Sequence, residues 1–245
     1  MTSLIEIPTA DGTMPAFSCH PEGEPKGAVI VIQEAFGLTE HIGSIADRLA
    51  EAGYRAIAPA LFHRVGSPVL DYDIINDAER VTELFAIFES LTAEDLATDV
   101  DASLAFLEGE GFSASSIGMV GFCMGGAVTL FASTRPGLGA GVTFYGGGVA
   151  NGRFGLPPLI EQAPSVKNPW LGLYGDLDAS IPVDDVEKLR AAASLAAAPT
   201  EIVRYADADH GFNCDGRPNV FNAEAAADAW ARTLAFFNAH LRREG

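Results

Sequence analysis

The sequence predicts an α/β fold: a mostly parallel central sheet with helices on both faces. Three observations carry this reading. Apolar, β-branched runs alternate along the chain with stretches of helical periodicity. The runs are apolar at nearly every position, as strands covered on both faces must be. Finally, 245 residues with 48% hydrophobic content and positive mean hydropathy can bury a sizeable core. An α/β chain of this length often folds undivided, so one domain over residues 1–245 is expected.

In chain order, Ala28 to Gln33 reads as a buried strand. Glu40 to Ala52 follows as a helix closed by Gly53, whose tolerance of left-handed backbone suits a helix end. Tyr54 to Ala58 is a short strand stopped by Pro59. Ile74 to Leu91 and Asp95 to Leu107 have amphipathic helical spacing. Ile117 to Val120 and Gly141 to Tyr145 read as strands, with a helical stretch from Ala127 to Ser133 between them. Trp170 to Tyr174 and Glu201 to Tyr205 are the last strands, separated by a helix from Val183 to Leu195. The Ala-rich stretch Ala191 to Ala198 reads as the end of that helix, stopped by Pro199. Ala223 to Leu241 closes the chain as a long helix.

Ligands on open parallel sheets bind beyond the carboxyl ends of the strands, so the residues that follow each strand matter most. Four of these positions carry reactive side chains: Glu34, Cys123, Asp178 and His210. Cys123 lies in Gly121-Phe122-Cys123-Met124-Gly125-Gly126, the strand, sharp turn and helix of a nucleophile elbow with cysteine at its tip. Such a turn strains the nucleophile's backbone, and small neighbours let strand and helix pass close beside it. A sulfur near a helix N-terminus favours the thiolate. A free cysteine is more often a small buried hydrophobe, but the glycine context reverses that reading here.

A thiol nucleophile needs a base, and the base needs a carboxylate to hold its tautomer. The order Cys123, Asp178, His210 is that of the α/β-hydrolases. Asp176 and Asp178 share the loop Gly175 to Pro182. The carboxylate must clear the strand to meet a histidine on the neighbouring loop. That favours Asp178 and leaves Asp176 as a turn former or helix cap. Among the histidines, His20, His41 and His240 read as surface residues. His63 follows a strand and could line the pocket, and His210 sits in Asp209-His210-Gly211-Phe212 as the expected base.

Glu34 ends a buried strand, where an unpaired carboxylate is costly. It reads either as a structural salt bridge or as a group facing the Cys123 thiol or a pocket arginine, and its placement favours the second. The backbone N–H groups of Ala35 and Met124 are placed to form an oxyanion hole.

Together these residues resemble the dienelactone hydrolase family, the cysteine branch of the α/β-hydrolases, over essentially the whole chain. The resemblance rests on Gln33-Glu34-Ala35-Phe36-Gly37, Pro59-Ala60-Leu61-Phe62, the cysteine elbow, Phe144-Tyr145-Gly146, Gly175 to Pro182 and His210-Gly211-Phe212. It implies an α/β-hydrolase fold and hydrolysis of a small lactone or carboxylic ester; separately, the ligand spacing of the chain leads us to expect no metal or other cofactor. It further implies that Glu34 interacts with the resting thiol and that Tyr145 lies near the pocket. The family's Gly-x-x-Asp-x-x-Val/Ile-Pro run supports Asp178 as the acid. One departure matters: the prototype holds its substrate carboxylate with arginines, one of them four residues after the histidine, where this chain has Cys214. The nearest downstream arginine is Arg217, and Arg80 lies close to the other family site. Phe62, His63, Arg64 and Tyr145 are expected to bound the pocket. An anionic substrate would need Arg64, Arg80 or Arg217 to reach it.

Fifteen basic against thirty-three acidic residues give a net charge of −18, which argues against nucleic acid or an anionic membrane as partner. The three cysteines, Cys19, Cys123 and Cys214, form no disulfide framework. The opening residues lack the basic start and apolar core of an export signal, and no 18-residue apolar run occurs. A cytoplasmic protein with reduced thiols is expected, as a monomer or small homo-oligomer. Two other readings compete: a broad carboxylesterase, and a thiol-containing binding or redox protein without turnover. The second would leave Glu34, Asp178 and His210 idle. Gly137-x-Gly139-x-Gly141 leads into a strand and so is no dinucleotide fingerprint. His210 and Cys214 lack further metal ligands at suitable spacing.

Overall fold

The computed structural model describes residues 2–241. Eight strands form one sheet: β1 Ser3–Thr9, β2 Gly12–Cys19, β3 Ala28–Ile32, β4 Arg55–Pro59, β5 Ile117–Phe122, β6 Ala140–Phe144, β7 Trp170–Gly175 and β8 Thr200–Tyr205. Their order is β1-β2-β4-β3-β5-β6-β7-β8, parallel from β4 to β8 and antiparallel at the β1–β2–β4 edge. Of the parallel strands, all but the edge strand β8 are continuously buried. β3, β4, β5, β6 and β7 are buried at every position.

Seven α-helices cover the sheet: α1 Glu40–Glu51, α2 Val81–Ser90, α3 Ala93–Gly109, α4 Met124–Ser133, α5 Leu159–Gln162, α6 Val183–Ala193 and α7 Ala223–His240. Alternate strand residues feed opposite cores. Ile30, Ile32 and Met119 pack with Val100 of α3, Val128 of α4 and Leu189 of α6. Val29, Val31 and Phe122 pack with Ile45 of α1 and Phe237 of α7. No helix among the described residues is long and apolar enough to cross a membrane.

Four details differ from the sequence reading. The β1–β2 hairpin was not foreseen. Pro8 and Pro15 interrupt its alternating pattern; Pro8 is tolerated because β1 is an edge strand, and Pro15 precedes the β2–β4 pairing, which begins at Ala16. The helix expected from Ile74 begins only at Val81, preceded by a 3₁₀ turn at Tyr72–Asn76. The break is local: the Asp77 carboxylate accepts from the N–H groups of Glu79 and Arg80, an Asx turn that competes with helix. α6 ends at Ala193 rather than running to Pro199. Lastly, His41 is buried in the first turn of α1, not exposed as expected. Its ring lies edge-on to Phe122 at 6.0 Å and its Nδ1 stands 3.1 Å from Asp215.

Candidate active site

Cys123 joins β5 to α4 with φ +53° and ψ −112°, a conformation that costs a non-glycine residue energy and turns its side chain out of the sheet. The glycines on either side make the turn possible. A Cβ on Gly121 would run into the carbonyl of Gly125, and one on Gly125 into the carbonyl of Ile32. On Gly126 it would stand 2.8 Å from Gly146 Cα. Each would push α4 away from the strands beside it.

His210 follows β8 and Asp178 follows β7, so the parallel pairing of those strands sets the two loops side by side. His210 Nδ1 lies 2.6 Å from Asp178 Oδ2. The charge of Cys123 acts on the same ring, and with Nδ1 taken by Asp178 the nitrogen open to the sulfur is Nε2. Burial opposes charge on His210, yet Cys123 and Asp178 outweigh it and hold the imidazole well above its ordinary pKa. Burial likewise raises Asp178, but the His210 contact and two donors from Ser180 prevail and its pKa is lowered. Those donors are the Ser180 N–H at 2.8 Å and hydroxyl at 2.6 Å, both to Oδ1. Asp176 is turned elsewhere. Both its oxygens take the Arg204 guanidinium at 2.7 Å, so it is an ion-pair partner rather than the turn former or cap expected.

Glu34, just after β3, is 1% exposed. Its Oε1 accepts from the Tyr145 hydroxyl at 3.3 Å, and its Oε2 has no partner among the described residues. No arginine among the described residues pairs with it, which removes the salt-bridge reading. Tyr145 has φ +38°, and its ring stands 5.2 Å from that of His210. Burial and then Glu34 push its phenol well above the ordinary value, so it remains a neutral donor. Cys214 is buried near enough to Glu34 and Tyr72 for both to act on its thiol. Burial and the Glu34 charge push its thiol up to about 12.

The N–H groups of Ala35 and Met124 have no acceptor among the described residues. They are brought near each other because the start of α4 packs, through Gly125, on the carbonyls of Ile32 and Gln33.

The expected pocket wall differs in detail. Phe62 is 1% exposed and packs in the core beside Ile74 and Leu84. His63 Nε2 stands 3.1 Å from Asp99. Arg64 forks onto Asp99 at 2.8 and 2.9 Å and also holds Asp11 at 2.7 Å, so it does not supply the free cation expected of it. Arg80 is exposed at the start of α2. Arg217 is half-buried over Phe36, the residue after Ala35, with its guanidinium carbon 5.7 Å from the ring centroid. Its Nη1 lies 2.7 Å from where a Cβ on Gly211 would stand, next to His210. No carboxylate among the described residues pairs with it. Sequence reasoning passed over Ser180 and Tyr72. The Asp-x-Ser spacing signals an Asx turn at the first, while nothing in the sequence links Tyr72 to Cys214. Among the described residues no group of three or more His, Cys, Asp or Glu is arranged to hold a metal.

The family model described as "Dienelactone hydrolase family" matches residues 14–241. The chain belongs to the dienelactone hydrolase family. Its curated relatives include an Escherichia coli K12 protein named "Putative carboxymethylenebutenolidase", 37% identical over 97% of this chain and 86% of the relative. One of the same name from Methylorubrum extorquens is 35% identical over 95% of this chain and 79% of the relative. Among solved structures, a "Putative Dienelactone Hydrolase" from Klebsiella pneumoniae superposes with a TM-score of 0.84 at 36% identity, covering 98% of this chain and 99% of the other. This dienelactone hydrolase family member is therefore an enzyme, an ester hydrolase with the α/β-hydrolase fold.

Proposed function

We propose that the protein hydrolyses a small lactone or carboxylic ester through Cys123, His210 and Asp178, by way of a thioacyl-enzyme. The observation that carries this is a single imidazole with a carboxylate 2.6 Å from Nδ1 and, acting on the same ring, the charge of a strained, elbow-mounted sulfur. In the first step the Cys123 sulfur attacks the acyl carbon, and the carbonyl electrons move onto oxygen beside the Ala35 and Met124 N–H groups. As the carbonyl re-forms, the C–O bond to the leaving group breaks, and His210 gives its proton to the departing oxygen. With a lactone that alcohol stays tethered to the acyl group. In the second step His210 takes a proton from water, the hydroxide adds to the thioacyl carbon and the C–S bond breaks. The thiolate leaves beside a protonated His210, which restores the starting pair.

Glu34 and Tyr145 form the wall behind the sulfur, and Arg217 is the cation placed to meet a carboxylate on the substrate. A screen of small lactones and aryl esters, run on the wild type beside Cys123→Ala, tests the proposal. Turnover lost in the variant, with an acyl adduct on Cys123 in the intact mass of the wild type, is the expected result. Full activity in Cys123→Ala would remove it.

A further inference from the structure

Gln33 lies between β3 and Glu34, and its side chain is fully buried. A buried amide must satisfy both its ends. Its Oε1 accepts the N–H of Leu61, in the loop after β4, at 3.2 Å. Its Nε2 donates to the carbonyl oxygen of Glu34 at a longer 3.5 Å. That carbonyl and the Ala35 N–H belong to one peptide unit. Because the unit is planar and trans, its oxygen and hydrogen point in opposite directions, and whatever fixes one aims the other. The Gly37 N–H also reaches this carbonyl at 3.5 Å. The peptide that carries the Ala35 donor is thus held by its oxygen, from a side chain itself anchored on a second loop.

We propose that Gln33 is a positioning residue for the oxyanion hole: its amide clamps the Glu34–Ala35 peptide so that the Ala35 N–H faces the oxygen that becomes charged. The inference rests on the thiol mechanism and on Ala35 as a donor. Gln33 acts through the backbone and leaves the Cys123–His210–Asp178 chain untouched. A hydrogen bond to the carbonyl also polarises the peptide and strengthens its N–H as a donor.

The test uses Gln33→Met, which keeps length and loses both polar ends, and Gln33→Glu, which keeps the acceptor for Leu61 and, at a pH where its carboxyl is ionised, loses the donor for Glu34. Three quantities are read on each: kcat and KM for an ester that the wild type turns over, the affinity of the corresponding aldehyde, which forms a hemithioacetal on Cys123, and the rate of Cys123 alkylation by iodoacetamide. Loss of a whole oxyanion donor costs roughly 10²–10³ in rate. A donor present but misaimed should cost less, roughly tenfold to a hundredfold in kcat at unchanged KM. Aldehyde affinity should fall by the same factor. Alkylation builds no oxyanion and should stay within about twofold. Should Gln33→Met not fold, Gln33→Glu alone decides. Wild-type kcat and aldehyde affinity in a folded variant, or alkylation falling in step with hydrolysis, overturns the inference. If instead Cys123→Ala hydrolyses the ester at the wild-type rate, it is the thiol mechanism that fails.

Discussion

Asp176 and Asp178 stand two residues apart on one loop and serve different partners. Asp178 meets His210 at 2.6 Å, whereas Asp176 takes the Arg204 guanidinium on both oxygens at 2.7 Å. The pair makes a sharp experiment. Asp178→Asn should reduce kcat by orders of magnitude, because the imidazole loses the acceptor that holds its tautomer. Asp176→Asn should keep its activity. Arg204 retains Glu187 at 2.7 Å, and a part-exposed pair of this kind contributes only about 1 kcal/mol. Steady-state rates and melting curves of both variants read the outcome. An active Asp178→Asn beside a dead Asp176→Asn would reverse the assignment.

Ser180 holds the oxygen of Asp178 that His210 does not use, through both its N–H and its hydroxyl. Ser180→Ala removes the hydroxyl and spares the backbone donor. A hydrogen bond to a charged group contributes about 1.5–3 kcal/mol, and part of that should appear as a roughly tenfold fall in kcat. Ser180→Thr should restore much of it. A rate unchanged in the alanine variant would mean that the backbone turn suffices.

The pKa directions at the site set two pH dependences. Burial alone would raise Asp178, but His210 and Ser180 hold it below its ordinary 3.8. Folded Asp178 therefore binds its proton more weakly than unfolded Asp178. The stability this supplies is complete above about pH 3.8 and is lost as pH falls through the lower folded value. The difference in unfolding free energy between wild type and Asp178→Asn should accordingly shrink as pH falls below about 3.8. His210 shifts the other way. Burial lowers it, but Cys123 and then Asp178 raise it well above 6.5. Replacing Cys123 with alanine should let burial reassert itself and bring the imidazole pKa down, as nitrogen-15 NMR of the ring would show. A wild-type His210 that titrates near 6.5 would contradict the geometry.

Gly125→Ala tests the proposed oxyanion hole of Ala35 and Met124. The added methyl meets the carbonyl of Ile32 and stands 2.6 Å from that of Gln33, both rigid backbone, so α4 must move off β3. Overpacking of this kind costs about 1–3 kcal/mol in stability. The rate should fall further than that cost implies, by roughly a hundredfold or more, because the Met124 and Ala35 amides separate. Comparing kcat with the melting temperature separates the two effects. A destabilised variant with wild-type kcat would show that the donors do not depend on this contact.

Most of the sheet was legible because its strands are apolar on both faces, and a signal of that kind needs no partner to interpret it. The β1–β2 hairpin was not, since its prolines read as breaks unless the strand is known to lie at an edge. Cys123, His210 and Asp178 stood out as candidates from their places after strands, where backbone topology alone converges side chains. Arg64 illustrates the limit. Its position beside the pocket segment was visible, but its capture by Asp11 and Asp99 depends on residues 53 and 35 positions away. His41 fails for the same reason, because Asp215 and Phe122 reach it only in the folded chain.

That capture of Arg64 narrows the account of substrate recognition. Of the three arginines, Arg64 is ion-paired with three carboxylates, Asp11, Asp95 and Asp99, Arg80 is exposed at the start of α2, and Arg217 lies half-buried over Phe36 without an acid partner among the described residues. With a net charge of −18 the molecule's general field repels anions, so a substrate carboxylate needs one local cation held close to the sulfur. Of these three, Arg217 is the one that borders both Phe36, next to the Ala35 amide, and Gly211, next to His210. A charge-assisted contact of about 1.5–3 kcal/mol corresponds to roughly tenfold to a hundredfold in kcat/KM. Arg217→Ala should therefore lose most of any preference for a lactone that carries a carboxylate over the same lactone without it. Turnover of the uncharged lactone should change by less than about threefold. Arg64→Ala should lower the melting temperature by releasing Asp99, buried on α3, and leave the preference intact. Arg80→Ala should alter neither. The preference is measured as the ratio of kcat/KM for the two lactones in each variant. A ratio that survives Arg217→Ala and falls in Arg80→Ala would place the anion on the α2 side of the site, whereas a wild type with no preference would leave Arg217 without a substrate role.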